Sequence, residues 1–394
     1  MTFLYHVVVR NLDSFRYYRQ GCEIMSTDRR HLSEIHILRA IGCLFVLLVH
    51  VSAAFYYEHG EKYNEITLFI NQISRFGTPM FALISGFLLF YQVRFKGFDL
   101  KRFISSRFTK IGLPFLFWSI FYLLFSYLIL GVNPLASGKK IFLVNFAFGN
   151  FFYHLYFMSI VFQFYLLFPL LQRVRSKKIW PVLLALSVLV NLYFLKLYTP
   201  GQYEGIWRVI LSQRAFLPSW IFFFIFGGFL ANYWEIIFSF SKKHRNILGI
   251  AVLLITAAAV WEYKTVGSIP SNRATNMINI PIITLFVIGI GDLIGKLKWL
   301  SRFFTQIGSL SMAIYLVHPF VLYCFQTTAP SYIWKASLFP VIFTFVLLGT
   351  ILVVKIIQLL PFNQYILTVP KVKPAKNNVS LKPASVQANS YLSQ

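Results

Sequence analysis

Ten stretches of mostly apolar residues run through this 394-residue chain, near 36–57, 66–90, 111–131, 150–171, 179–197, 214–233, 246–262, 276–295, 306–326 and 336–359. A helix needs about 20 such residues to cross the hydrocarbon of a bilayer. Lipid offers no partner to a free peptide N–H or C=O, so spanning segments must satisfy their own backbone. Runs of this length therefore predict helices, and the expected fold is an all-α integral membrane protein with about ten transmembrane helices. Only 12% of the residues are charged, against about 25% in ordinary soluble domains, which argues against a water-soluble enzyme.

Lys and Arg outnumber Asp and Glu 37 to 12, for a net charge of +25. In a soluble protein that balance would suggest nucleic acid; in a multi-pass membrane protein it reflects cytoplasmic loops rich in Lys and Arg. Counted around the ten expected spans, 22 basic residues fall on one side and 7 on the other. Both termini are thus expected in the cytoplasm and no nucleic-acid partner is expected. The first 24 residues hold no apolar run long enough for a cleaved export signal, and Met25, which opens a short polar segment before the first span, is an alternative start. Residues 1–32 read as a cytoplasmic N-terminal segment, 33–360 as the transmembrane domain, and 361–394, rich in Lys, Pro, Ser, Asn and Gln, as a disordered cytoplasmic tail.

Ionisable residues inside a span are costly and mark sites by default. Arg39 and His50 lie eleven residues apart in the first span. At about 100° per residue they fall within about 20° of one helix face and about 16 Å apart along it, so they are expected along one wall of a polar cavity. Snorkelling of Arg39 and interfacial placement of His50 are the blander alternative. The second span carries Arg75 at a depth similar to His50, then Pro79, a candidate kink, and Ser85-Gly86-Phe87. Small residues there serve either helix packing or close approach of a ligand. His318 reaches the same depth from the ninth span, three residues after Tyr315, and His154 and Arg214 open the fourth and sixth spans from the outside.

Other chemistries lack their residues. Cys22, Cys43 and Cys324 are scattered and indicate neither a disulfide framework nor a metal knuckle. No His, Asp and Glu set has metal-ligand spacing and no Gly-rich phosphate loop precedes a Lys, so neither a bound metal nor an ATP-driven pump is expected. The near absence of intramembrane carboxylates weighs against an ion-coupled transporter.

Taken in order, these segments resemble the membrane-bound acyltransferase-3 family, bacterial enzymes that O-acylate cell-surface sugars and polysaccharides. The resemblance covers about residues 33 to 360 and rests on Arg39 followed by His50, Pro79-Met-Phe81 with Ser85-Gly86-Phe87, the basic stretch from Arg102 to Pro114, His154 to Phe157, Phe223 to Gly228, and Ser311 to His318. Glu34, five residues before Arg39, looks most like the intercellular-adhesion subgroup, proposed as O-succinyltransferases of poly-N-acetylglucosamine. The second loop reads Arg107-Phe-Thr-Lys110, where relatives often carry two arginines, so Lys110 keeps the charge without the bidentate fork.

The resemblance implies transfer of an acyl group, acetyl or succinyl, from cytoplasmic acyl-CoA as co-substrate to a surface glycan, with no bound cofactor, in the bacterial cytoplasmic membrane. His50 is then the candidate base, with Arg75 and His318 as its catalytic partners. Arg39, Ser85, Gly86, Arg102, Arg107 and Lys110 are candidates for the donor, and His154, Arg214 and Tyr315 for the acceptor. A polysaccharide synthase is a further partner the resemblance allows. The alternatives are an exporter or flippase of a polysaccharide or lipid-linked sugar, and a structural subunit that organises a synthase.

Overall fold

The chain begins its described course with a 26-residue helix, α1 (Ser33–Glu58). The computed structural model describes residues 33–369 apart from 175 and 200. The alternative start at Met25, Cys22, the basic pair Arg29 and Arg30, and the tail beyond 369 lie outside the described residues. After α1 come α2 (Glu65–Ser74), α3 (Gly77–Lys96), α4 (Leu100–Arg107), α5 (Leu113–Leu128), α6 (Lys139–Ala147), α7 (Tyr156–Leu171), α8 (Trp180–Leu192), α9 (Gly205–Leu211), α10 (Ile221–Asn232), α11 (Trp234–Lys243), α12 (Arg245–Val266), α13 (Asn276–Lys296), α14 (Lys298–Thr328), α15 (Phe339–Leu359) and α16 (Asn363–Ile366). No strand occurs among the described residues.

Among the described residues, eight helical units are long and apolar enough to cross a membrane, and they correspond to eight of the ten expected runs. The other two fall short. Run 150–171 yields only the 16-residue α7, about 24 Å long, because residues 149–155 form a tight turn instead. Gly149 sits there at φ +69°, and a Cβ on it would meet the Leu155 carbonyl oxygen at 2.6 Å. Run 214–233 yields the 12-residue α10, which turns through 91° into α11. Only the bent pair together is long and apolar enough to cross, and α11 mixes Trp234, Ile236, Ile237 and Phe238 with Glu235, Lys242 and Lys243. Arg94 pins the corner, donating to the Ala231 carbonyl at 3.1 Å and to Glu235 at 2.6 Å.

Burial separates inner from outer helices. The most apolar windows of α1, α2–α3 and α14 are 56%, 72% and 67% buried, against 17% for the α8 unit and 22% for α12, so the former form the centre and the latter the rim. The expected kink at Pro79 is displaced. Pro79 lies in the first turn of α3, where a missing N–H removes no helix bond, and the break falls at Arg75 and Phe76 instead. Gly86 and Gly227 bring α3 and α10 into backbone contact. A Cβ on Gly86 would lie 2.3 Å from the Phe224 carbonyl oxygen, and one on Gly227 would lie 2.1 Å from that of Leu83. Residues 361–369, expected in the tail, fold back as α16 and its flank, with Trp118 donating to the Ile366 carbonyl at 3.0 Å and Thr368 to that of Lys110 at 2.6 Å.

Candidate active site

A cavity of about 410 Å³ opens where α1 and α14 end, and its lining includes His50, Tyr57, Arg75, Thr78, Tyr153, His154, Tyr156, Arg214, Trp220, Ser271, Asn272, Tyr315 and Gln326. Each element arrives there for a local reason. α1 and α14 run side by side in the same direction and touch at several points along their length. Arg39 Nε donates to Ser311 Oγ at 3.2 Å, and further along His50 stacks on His318, ring centroids 5.1 Å apart. His318 donates its Nδ1–H to the Ile314 carbonyl at 3.0 Å, and that bond fixes the tautomer. Its Nε2 is buried without a hydrogen-bond partner among the described residues.

The helix break after α2 places Arg75. Its Nε and Nη2 donate to Asn71 Oδ1 at 3.2 and 3.0 Å. The turn before α7 delivers Tyr153, whose ring lies 4.7 Å from that of His50, and His154, whose ring lies 5.7 Å from that of His318. Tyr315 donates its hydroxyl to the His154 carbonyl and so ties this turn to α14. Arg214 sits on a clamped loop: Gln163 of α7 accepts from the Leu217 N–H at 3.1 Å and donates to the Ala215 carbonyl at 2.6 Å, while Trp220 donates to the Arg214 carbonyl at 2.9 Å. The Arg214 guanidinium lies 5.2 Å from the Tyr156 ring centroid. Residues 269–272 close the rim, with the Ile269 N–H donating to Gln72 Oε1 at 2.8 Å and Asn272 to the Ser219 carbonyl at 2.7 Å.

Two guanidiniums, always protonated, therefore face this space. Among the described residues, its lining holds no carboxylate, and neither Arg75 nor Arg214 pairs with one. An imidazole beside such cations can take a proton while they stabilise developing negative charge, which is the equipment of a group transfer through an oxyanion.

A family profile described as an acyltransferase domain matches residues 32–358. The chain belongs to the acyltransferase-3 family. A Staphylococcus aureus (strain NCTC 8325 / PS 47) protein, provisionally named a poly-beta-1,6-N-acetyl-D-glucosamine export protein, is 26% identical over 305 residues, covering 73% of this chain and 82% of the relative. A Staphylococcus epidermidis protein of the same name is 27% identical over 308 residues, 75% of this chain and 82% of the relative. A Bacillus subtilis (strain 168) protein provisionally named membrane-bound acyltransferase YfiQ is 26% identical over 306 residues, 74% of this chain and 81% of the relative. No solved structure matches. The chain is thus an acyltransferase and a multi-pass membrane protein.

Within this acyltransferase, His50, Arg75, His154, Arg214 and Tyr315 line one cavity, with His318 packed behind His50. The donor candidates are not gathered with them. The cavity begins at Val46 on α1, so Arg39, engaged by Ser311, lies outside its lining, and the expected single wall from Arg39 to His50 is shorter than the spacing implied. Ser85 bonds back to the Phe81 carbonyl at 2.8 Å, and Gly86 is filled by Phe224. Arg102 and Arg107 line a separate cavity of about 80 Å³ together with Gln92, Lys96 and Asp99. Arg107 donates to Gln92 at 3.0 Å; Lys110 is not in that lining. The sequence reading missed Thr78, Tyr153, Tyr156, Trp220 and the 270–272 rim. Thr78 and Tyr153 adjoin residues it singled out, and the polar Ser-Asn-Arg run at 271–273 is the one signal in the rim.

Proposed function

We propose that this acyltransferase moves an acetyl or succinyl group from cytoplasmic acyl-coenzyme A to a hydroxyl of a cell-surface polysaccharide. The observation that carries the reading is the convergence of His50, Arg75, His154 and Arg214 on one cavity in a chain of this family. The polysaccharide acceptor, a poly-β-1,6-N-acetylglucosamine-like chain, is taken from the names of the staphylococcal relatives. The bias of basic residues supports the placement: ten crossings in the bacterial cytoplasmic membrane, counting α7 and the bent α10–α11 pair, with both termini inside and the cavity mouth outside.

In this account an imidazole nitrogen of His50, which makes no hydrogen bond among the described residues, accepts the proton of the sugar hydroxyl as its oxygen attacks the acyl carbonyl carbon. Arg75 stabilises the oxyanion. The C–O bond forms, the C–S bond breaks with its electron pair on sulfur, and the thiolate leaves as coenzyme A thiol after taking the proton held by His50. His318 holds the His50 ring, and Arg214 with Tyr156, Tyr153 and Trp220 offers a cationic and aromatic rim on which sugar faces rest. Arg102 and Arg107 hold the phosphates of the donor. The assay is the full-length protein in lipid nanodiscs with acetyl- or succinyl-coenzyme A and a β-1,6-linked N-acetylglucosamine oligosaccharide. Thiol release matched by ester on the sugar supports the reading, and its absence with both donors contradicts it.

Export of the polysaccharide is the second reading, favoured by the relatives' names. It requires polymer to be retained inside cells that lack the protein, whatever its ester content.

A further inference from the structure

We propose that Asn71 is the positioning residue of this site: its neutral amide aims the Arg75 guanidinium into the cavity and leaves the cation's charge for the ligand. The inference rests on the roles of His50 and Arg75 proposed above.

Asn71 lies four residues before Arg75, on the same face of the helical stretch, and is 1% exposed. Both kinds of group on its side chain are in use. Oδ1 accepts from Arg75 Nε at 3.2 Å, from Arg75 Nη2 at 3.0 Å and from Gln72 Nε2 at 3.1 Å. Nδ2 donates to the Val49 carbonyl at 3.1 Å and to Ser52 Oγ at 3.0 Å. Val49 is the residue before His50, so one amide references the guanidinium to the backbone that carries the imidazole. Gln72 extends the reference, since its Oε1 accepts from the Ile269 N–H at the start of the cavity rim.

The choice of an amide is chemical. An Asp at 71 would still accept from Arg75, but a carboxylate cannot donate to Val49 and Ser52, and its charge would neutralise the guanidinium that the reaction needs. An apolar residue would leave the guanidinium unheld and would break its link to the Val49 carbonyl, which would keep only the Ser52 hydroxyl as a side-chain donor. Asn alone among residues of this size accepts from the cation, donates to the backbone and adds no charge. Asn71 does not line the cavity, so it acts through Arg75.

The test uses the full chain in nanodiscs with acetyl- and succinyl-coenzyme A as donor probes and a β-1,6-linked N-acetylglucosamine oligosaccharide as acceptor. Asn71→Asp and Asn71→Ala each lower kcat about tenfold or more, with both KM values within about threefold of wild type. Thermal unfolding reports which variants fold, and Asn71→Ser serves if Asn71→Ala does not. In an Arg75→Lys background, Asn71→Ala costs about twofold or less, because the group it aims is already gone. Wild-type kcat in the Asn71 variants, with Arg75→Lys impaired, overturns this proposal alone. The same holds if the full Asn71→Ala penalty persists beside Arg75→Lys, which marks a role in folding. Wild-type rates in both His50→Ala and Arg75→Lys overturn the site reading and this proposal with it.

Discussion

His50 and His318 stack with their ring planes 30° apart, one helix supplying each ring. Nearer the start of α1, Arg39 donates to Ser311 of the same helix pair. Because His318 is itself fixed by its bond to the Ile314 carbonyl, the pair holds the His50 ring against one wall and leaves its other side to the cavity.

From that relationship, His318→Asn is expected to lower kcat about tenfold while leaving folded protein in place, since the base remains but its orientation is lost. Steady-state rates on nanodisc-embedded protein, with His50→Ala as the reference for complete loss, check this. Equal rates for His318→Asn and wild type contradict it.

Arg75 separates charge from geometry. Arg75→Gln should lower kcat about a hundredfold, the loss typical of one oxyanion donor. Arg75→Lys, which keeps the charge but cannot use two nitrogens on one Asn71 oxygen, should fall between Gln and wild type. Comparison of kcat for the three proteins is the measurement.

The small cavity at Arg102 and Arg107 predicts a different signature. Arg102→Gln and Arg107→Gln should raise KM for the acyl-coenzyme A about tenfold with kcat unchanged, because they remove binding shared by ground and transition states. Lys110→Gln, outside that lining, should leave KM near wild type. Initial-rate curves over donor concentration decide.

The glycine contact is structural. Gly86→Ala or Gly227→Ala places a methyl within 2.3 or 2.1 Å of a facing carbonyl oxygen, where no flexible side chain can yield, and overpacking of this kind typically costs about 1–3 kcal/mol. Less folded protein, seen as lower yield and a lower unfolding temperature, should accompany normal specific activity in what folds.

The spans were legible because a bilayer imposes one length on any helix that crosses it, so apolar runs translate almost directly into α1, α3 and α12 to α15. The rule failed where local chemistry interrupts the run. Gly149 turns the chain before α7, and the polar side of α11 lays that helix across the end of α10. The cavity's polar wall was legible because His50 and Arg75 are misplaced in lipid unless they share a polar space, with His318 packed behind His50. Its rim was not, since Tyr156, Trp220 and Ser271 are ordinary residues for a membrane surface and only tertiary packing gathers them. Gly86 shows the opposite limit: a small residue reads alike for a ligand and for a neighbouring helix, and only the Phe224 contact separates the two.

The most direct test of the account is the ester content, by mass spectrometry, of surface glycan from cells with the intact protein, without it, and with His50→Ala at equal expression. The account predicts ester in the first case and none in the other two, with the polysaccharide still at the surface. Ester unchanged in all three, with polymer held inside cells that lack the protein, would contradict acyl transfer at His50 and leave export as the function.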